Sequence, residues 1–77
     1  MSVKILSVDK DSPAEKAKVF SGETLVTING NQINDILDYR FYETSKSLSI
    51  ELIDKNQNTR IVNIRKGEYE SIGLEFE

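Results

Sequence analysis

Residues 12–33 read SPAEKAKVFSGETLVTINGNQI, from Ser12 to Ile33, and their order decides the fold. Ser12 is a good helix N-cap, and Pro13 suits the first helical position, where no N–H partner is needed. Ala14, Glu15, Lys16 and Ala17 favour a short helix, expected over residues 13–19. Gly22 is placed to end that segment. Thr24-Leu25-Val26-Thr27-Ile28 is rich in β-branched residues and reads as a strand, closed by the turn pair Asn29-Gly30.

Working outward, Val3-Lys4-Ile5-Leu6-Ser7-Val8 reads as a first strand, followed by a polar turn at Asp9-Lys10-Asp11. Residues 35–44 read as a second helix with Asn34 as its N-cap. Ile36, Leu37, Phe41 and Thr44 share one side of it, which places Leu37 and Phe41 in the core. Leu48, Ile50 and Leu52 alternate with Ser49 and Glu51, the period of a half-buried strand. The turn composition of Asp54-Lys55-Asn56-Gln57-Asn58 joins it to Ile61-Val62-Asn63-Ile64 as a hairpin. Ile72, Leu74 and Phe76 alternate with Gly73, Glu75 and Glu77, and predict one last strand. The expected core is Ile28, Leu37, Phe41, Ile50, Leu52, Val62 and Ile64, in one small domain over residues 1–77.

The 77 residues carry 38% hydrophobic and 30% charged side chains, a globular rather than a disordered balance. No apolar run approaches the roughly 20 residues of a membrane helix, and Met1-Ser2-Val3-Lys4 begins no leader-like apolar segment. The formal net charge of −3 and the scatter of lysine and arginine among carboxylates disfavour a nucleic-acid partner. Arg65 and Lys66 fall on opposite faces of their strand and form no patch.

Cysteine and histidine are both absent, which removes disulfides, thiolate metal sites, cysteine nucleophiles and imidazole bases. A reducing, cytoplasmic location is compatible with that. Asp9, Asp11 and Ser12 open like a calcium loop, but Ala14 stands where the loop requires glycine. Asp35 and Asp38 sit at a helix start, where the macrodipole favours carboxylates. None of the four glycines lies in a phosphate-binding motif. The chain is therefore expected not to be an enzyme by itself, and to need no cofactor and no metal.

The run Ser12-Pro13-Ala14, the pair Gly22-Glu23 and the closing Ile28-Asn29-Gly30 resemble, in this order, the central motif of PDZ domains. Arg60-Ile61-Val62-Asn63-Ile64-Arg65-Lys66 and Gly73-Leu74-Glu75-Phe76 resemble that family's basic strand and G-L-G-F loop. Here they follow the central motif, as in the circularly permuted PDZ domains of bacterial proteins. Glu75 stands where the loop pattern has glycine, Lys18 where many members have glycine, and Glu23 where aspartate is usual. The resemblance implies a mainly β, partly open barrel with two short helices.

It also implies recognition of a protein or peptide by strand addition, between the strand after the loop and the second helix. Gly73, Leu74, Glu75 and Phe76 would form the loop and its strand, with loop N–H groups holding a terminal carboxylate. Asp38 and Tyr42, at i and i+4, would face the groove from the helix. Glu75 adds negative charge there, and Glu68, Glu70 and Glu77 add more, all weakening anion capture. Asp35-Ile36-Leu37-Asp38-Tyr39-Arg40-Phe41 and Gly73-Leu74-Glu75-Phe76-Glu77 together resemble the N-terminal PDZ-like domain of a bacterial family of radical-SAM-type iron–sulfur oxidoreductases. Two readings follow: a module that binds a peptide or protein, or a non-catalytic docking domain of a larger iron–sulfur enzyme whose groove is filled from within.

Overall fold

The computed structural model describes residues 2–77. The chain runs β1 (Val3–Val8), α1 (Pro13–Lys16), β2 (Thr24–Ile28), β3 (Asn31–Gln32), α2 (Ile36–Tyr42), β4 (Ser47–Ile53), β5 (Thr59–Arg65) and β6 (Leu74–Phe76). The strands form one antiparallel sheet in the order β5-β4-β2-β1-β6, with β3 paired to β2 alone. It is an open, mainly β fold with two short helices. Strands of alternating character turn one face inward, so Leu48, Ile50 and Leu52 of β4 meet Val62 and Ile64 of β5 in the core. Ile5, Leu25, Ile28, Ile33 and Ile72 complete its fully buried aliphatic centre.

Local chemistry explains the turns. Asn29 and Gly30 both take positive φ, 50° and 81°, the conformation of a type I′ hairpin. The return strand is β3, whose Asn31 pairs with Ile28; its two exposed residues offer no hydrophobic alternation by which to predict a strand. Asp54 Oδ1 accepts the N–H groups of Asn56 and Asn58 at 2.9 Å and closes the β4–β5 loop.

Both helices start alike. The Ser12 and Asp35 side chains accept the N–H of the residue three positions on, Glu15 and Asp38. The Glu15 and Asp38 carboxylates reach back to the N–H of Asp11 and Asn34, a variant of the capping box. The N-cap of α2 is thus Asp35, not Asn34, because its carboxylate is the one aligned with the free amides.

The first helix is shorter than expected, ending at Lys16, and Gly22 does not stop it. Lys18 does, at φ 64°, with its N–H donated to Glu15 O and the Val19 N–H to Ala14 O. That pairing is a Schellman closure, and the buried Val19–Ala14 pair is its hydrophobic partner contact. Lysine therefore occupies the left-handed position that favours glycine.

The second helix corrects the expected core. Leu37 and Phe41 are 72% and 71% exposed, whereas Tyr39 is 3% exposed. Leu37 and Phe41 each lie two residues from Tyr39, about 200° around the helix, so burying Tyr39 turns both outward. Residues 43 and 44 fall beyond the helix end, with Glu43 as its C-cap.

A charged pair ties β5 to the residue before β2. Glu23, 3% exposed, takes Arg60 Nε and Nη2 on its two oxygens at 2.9 and 2.8 Å. It also accepts the Phe20 N–H at 2.8 Å, and Arg60 Nη2 continues to the Lys18 carbonyl at 2.7 Å. Burial pushes the Glu23 carboxyl up, but Arg60 and the Phe20 N–H outweigh it and hold the group below the ordinary carboxylate value.

Candidate functional site

The free edge of the sheet beside α2 belongs to β6. Its ladder to β1 fixes which way its backbone faces: the Asp9 N–H donates to Gly73 O at 2.8 Å and the Glu77 N–H to Lys4 O at 3.2 Å. Backbone groups alternate along a strand, so those of Leu74 and Phe76 point away from β1, toward α2. Between β6 and α2 runs an open groove of about 580 Å³, lined by Ile36, Tyr39, Arg40, Glu43 and Thr44 on one side. Tyr69, Ser71, Leu74, Glu75 and Phe76 line the other. Its volume falls within the roughly 300–1,000 Å³ of ligand sites.

The loop at residues 71–73 is held by its neighbours. Ile72 O accepts the Ala14 N–H at 2.9 Å, which ties the loop to the start of α1. Gly73 has φ +92°, and a Cβ there would run into the Ser12 side chain. Only glycine combines that backbone angle with so close an approach.

Three successive N–H groups leave this loop on the groove side, and each meets a side chain of the same chain. The Ile72 N–H donates to Glu43 Oε1 at 3.1 Å, and the Ser71 hydroxyl donates to the same oxygen at 3.3 Å. The Gly73 N–H donates to Ser71 Oγ at 3.1 Å, and the Leu74 N–H to the Tyr39 phenol oxygen at 3.3 Å. Burial pushes the Tyr39 phenol well above its ordinary value, with the charge of Glu43 and a hydrogen bond to it adding to the effect. The phenol stays neutral and bridges strand and helix. Its ring meets Phe76 edge-on at 4.7 Å between centroids.

Of the residues the sequence pointed to, Leu74, Glu75 and Phe76 line the groove, and Gly73 shapes the loop that enters it. Asp38 and Tyr42 lie off the lining. The Asp38 carboxylate caps the helix start, and the Tyr42 ring packs edge-on against Phe41 and against the core. The helix presents Ile36, Tyr39, Arg40 and Glu43 instead, spaced i, i+3, i+4 and i+7. Sequence reasoning missed Tyr39, Glu43 and Ser71. The i, i+4 pairing of Tyr39 with Glu43 was the available signal, overshadowed by Leu37 and Phe41.

Comparison with known proteins agrees with this fold. A search of curated proteins returned no match. Over its whole length the fold is similar to the PDZ domain of the SdrC-like protein from Listeria innocua, with a TM-score of 0.79 at 21% identity. The alignment covers 99% of this chain and 93% of that one. Residues 4–43, over half of the sequence, match the family model described as PDZ domain, so the chain belongs to the PDZ domain family.

Proposed function

We propose that the domain binds an extended segment of a protein or peptide as an added strand on β6, inside the groove against α2. PDZ domains are in general non-catalytic interaction modules, and the loop and strand used here stand at the C-terminal end of the chain. The observation that carries the reading is the open edge at the Leu74 carbonyl and the Phe76 backbone, facing a helix across a groove rather than another strand, with the Leu74 N–H alone taken by Tyr39. Main-chain pairing there supplies affinity, while the apolar rims of Ile36, Leu74 and Phe76 accept alternate side chains. With a three-residue strand and a seven-residue helix, the affinity expected is about micromolar or weaker. Titrating ¹⁵N-labelled domain with peptides selected from a random library tests it. Shift changes should cluster at residues 72–76 and along Ile36, Arg40 and Glu43. Changes confined to β4 and β5 would refute it.

A second reading is favoured by Leu37 and Phe41, which stand exposed one turn apart on α2. Such a pair suits docking against another part of a larger protein, here an iron–sulfur enzyme of the radical-SAM type, with this domain non-catalytic. A reading frame that continues past Glu77 into a cysteine cluster would support it. One ending there would oppose it.

A further inference from the structure

The loop that leads into β6 is filled before any ligand arrives. We infer that Glu43 acts as a built-in stand-in for a terminal carboxylate, so that the groove takes internal extended segments and refuses free C-termini. The inference rests on the strand-addition reading above and sharpens it.

A nest of consecutive backbone N–H groups binds an anion because its donors converge on one point. In this chain the three N–H groups are already taken by side chains, and one of those acceptors is an anion. Glu43 Oε1 takes the Ile72 N–H and the Ser71 hydroxyl, Ser71 Oγ takes the Gly73 N–H, and Tyr39 takes the Leu74 N–H. A ligand carboxylate entering here must displace Glu43, leaving two carboxylates side by side. Screening over about 8 Å does little at such separations. Glu75 lines the same groove, and Arg40 is the single cation among its described lining residues. The charge therefore disfavours an anionic chain end and favours a basic side chain from a strand that continues past the loop. Phe76 and its outward backbone groups remain available to pair with that strand, because only the loop end of the groove is plugged.

The occupant is accordingly an internal stretch of a partner polypeptide. It is extended, apolar at alternate positions, and carries lysine or arginine where it passes Glu43.

The test uses one random hexapeptide library made in two forms, with a free terminal carboxylate and with a terminal amide. Both are screened against the wild-type domain, Glu43→Gln and Glu43→Ala, and the best hits of each are titrated in both forms. Circular dichroism confirms that the variants fold. For wild type, the amide form should bind at least about tenfold tighter than the acid, which corresponds to 1.4 kcal/mol. Glu43→Gln keeps the acceptor oxygen without the charge and should narrow that ratio. Glu43→Ala frees the Ile72 N–H and the Ser71 hydroxyl and should move the ratio further toward the acid. A wild-type domain that prefers the acid form would overturn the inference while leaving strand addition standing. Binding of neither form at the groove would overturn both.

Discussion

The Oε1 atom of Glu43, the C-cap of α2, lies 3.1 Å from the amide nitrogen of Ile72, in the loop before β6. Helix and strand are thereby clamped at one end of the groove. Tyr39, one turn earlier on the same helix, ties the Leu74 N–H from inside. The spacing between α2 and β6 is set by these two side chains, and the groove exists without a ligand to hold it open.

Tyr39→Phe tests the clamp. The variant keeps the ring against Phe76 and removes only the oxygen, so the buried Leu74 N–H loses its acceptor. A buried donor left unpaired costs about 1–3 kcal/mol, and each kcal/mol lowers the melting temperature of so small a domain by roughly 4–8 °C. Calorimetry that finds the variant melting with wild type would show that the bond contributes nothing.

Exposure separates two apolar truncations that the sequence alone would rank together. Phe41→Ala, on the outer side of α2, should change stability by no more than about 0.5 kcal/mol. Ile50→Ala, at the centre of the sheet, should cost about 2–5 kcal/mol. Urea midpoints measure both; a large loss for Phe41→Ala would mean that this helix face is covered in solution.

Lys18→Gly should stabilise. The left-handed backbone at 64° is strained for lysine by about 1 kcal/mol, and glycine relieves it at some entropic cost in the unfolded chain. A net gain of about 0.5 kcal/mol is expected in urea denaturation. A loss would show that the lysine stem contributes packing that outweighs the strain.

The Glu23–Arg60 pair sets the acid response. Glu23 is held below its ordinary value in the folded chain, so its stabilising contribution is complete above the unfolded value of about 4.3. That contribution disappears as pH falls through the lower folded value. In Arg60→Gln the burial of Glu23 dominates instead and raises its carboxyl, so this variant is penalised at neutral pH and relieved as Glu23 protonates. At pH 7 it should be about 3 kcal/mol less stable than wild type, and the gap should narrow as pH falls toward 3. Urea midpoints measured from pH 7 to 3 decide; a constant gap would mean that Glu23 does not titrate with the pair.

Strict alternation made most of the sheet legible: residues 48–52 and 61–64 each announce a buried face, and Asn29-Gly30 announces its own turn. The short helices were harder. In α2 three apolar residues, Ile36, Leu37 and Phe41, compete with Tyr39 for the inward face, and hydrophobicity alone favours the wrong pair. Tyr39 wins because its phenol satisfies a strand N–H about 35 residues away, a contact between distant segments that no local pattern encodes. Glu43 and Ser71 are hidden for the same reason, since their roles exist only once α2 lies beside the loop. Gly73 is legible only through the resemblance to the G-L-G-F loop, because the close approach to Ser12 that requires glycine there also joins distant segments.

The Phe76 amide gives the most direct test of strand addition. Its N–H faces the groove in the free domain, whereas those of Glu75 and Glu77 face β1. Amide hydrogen exchange should be fast at Phe76 without ligand and at least about tenfold slower when a selected peptide is bound, with Glu75 little changed. A peptide that binds tightly while Phe76 still exchanges at its free rate would contradict pairing along β6.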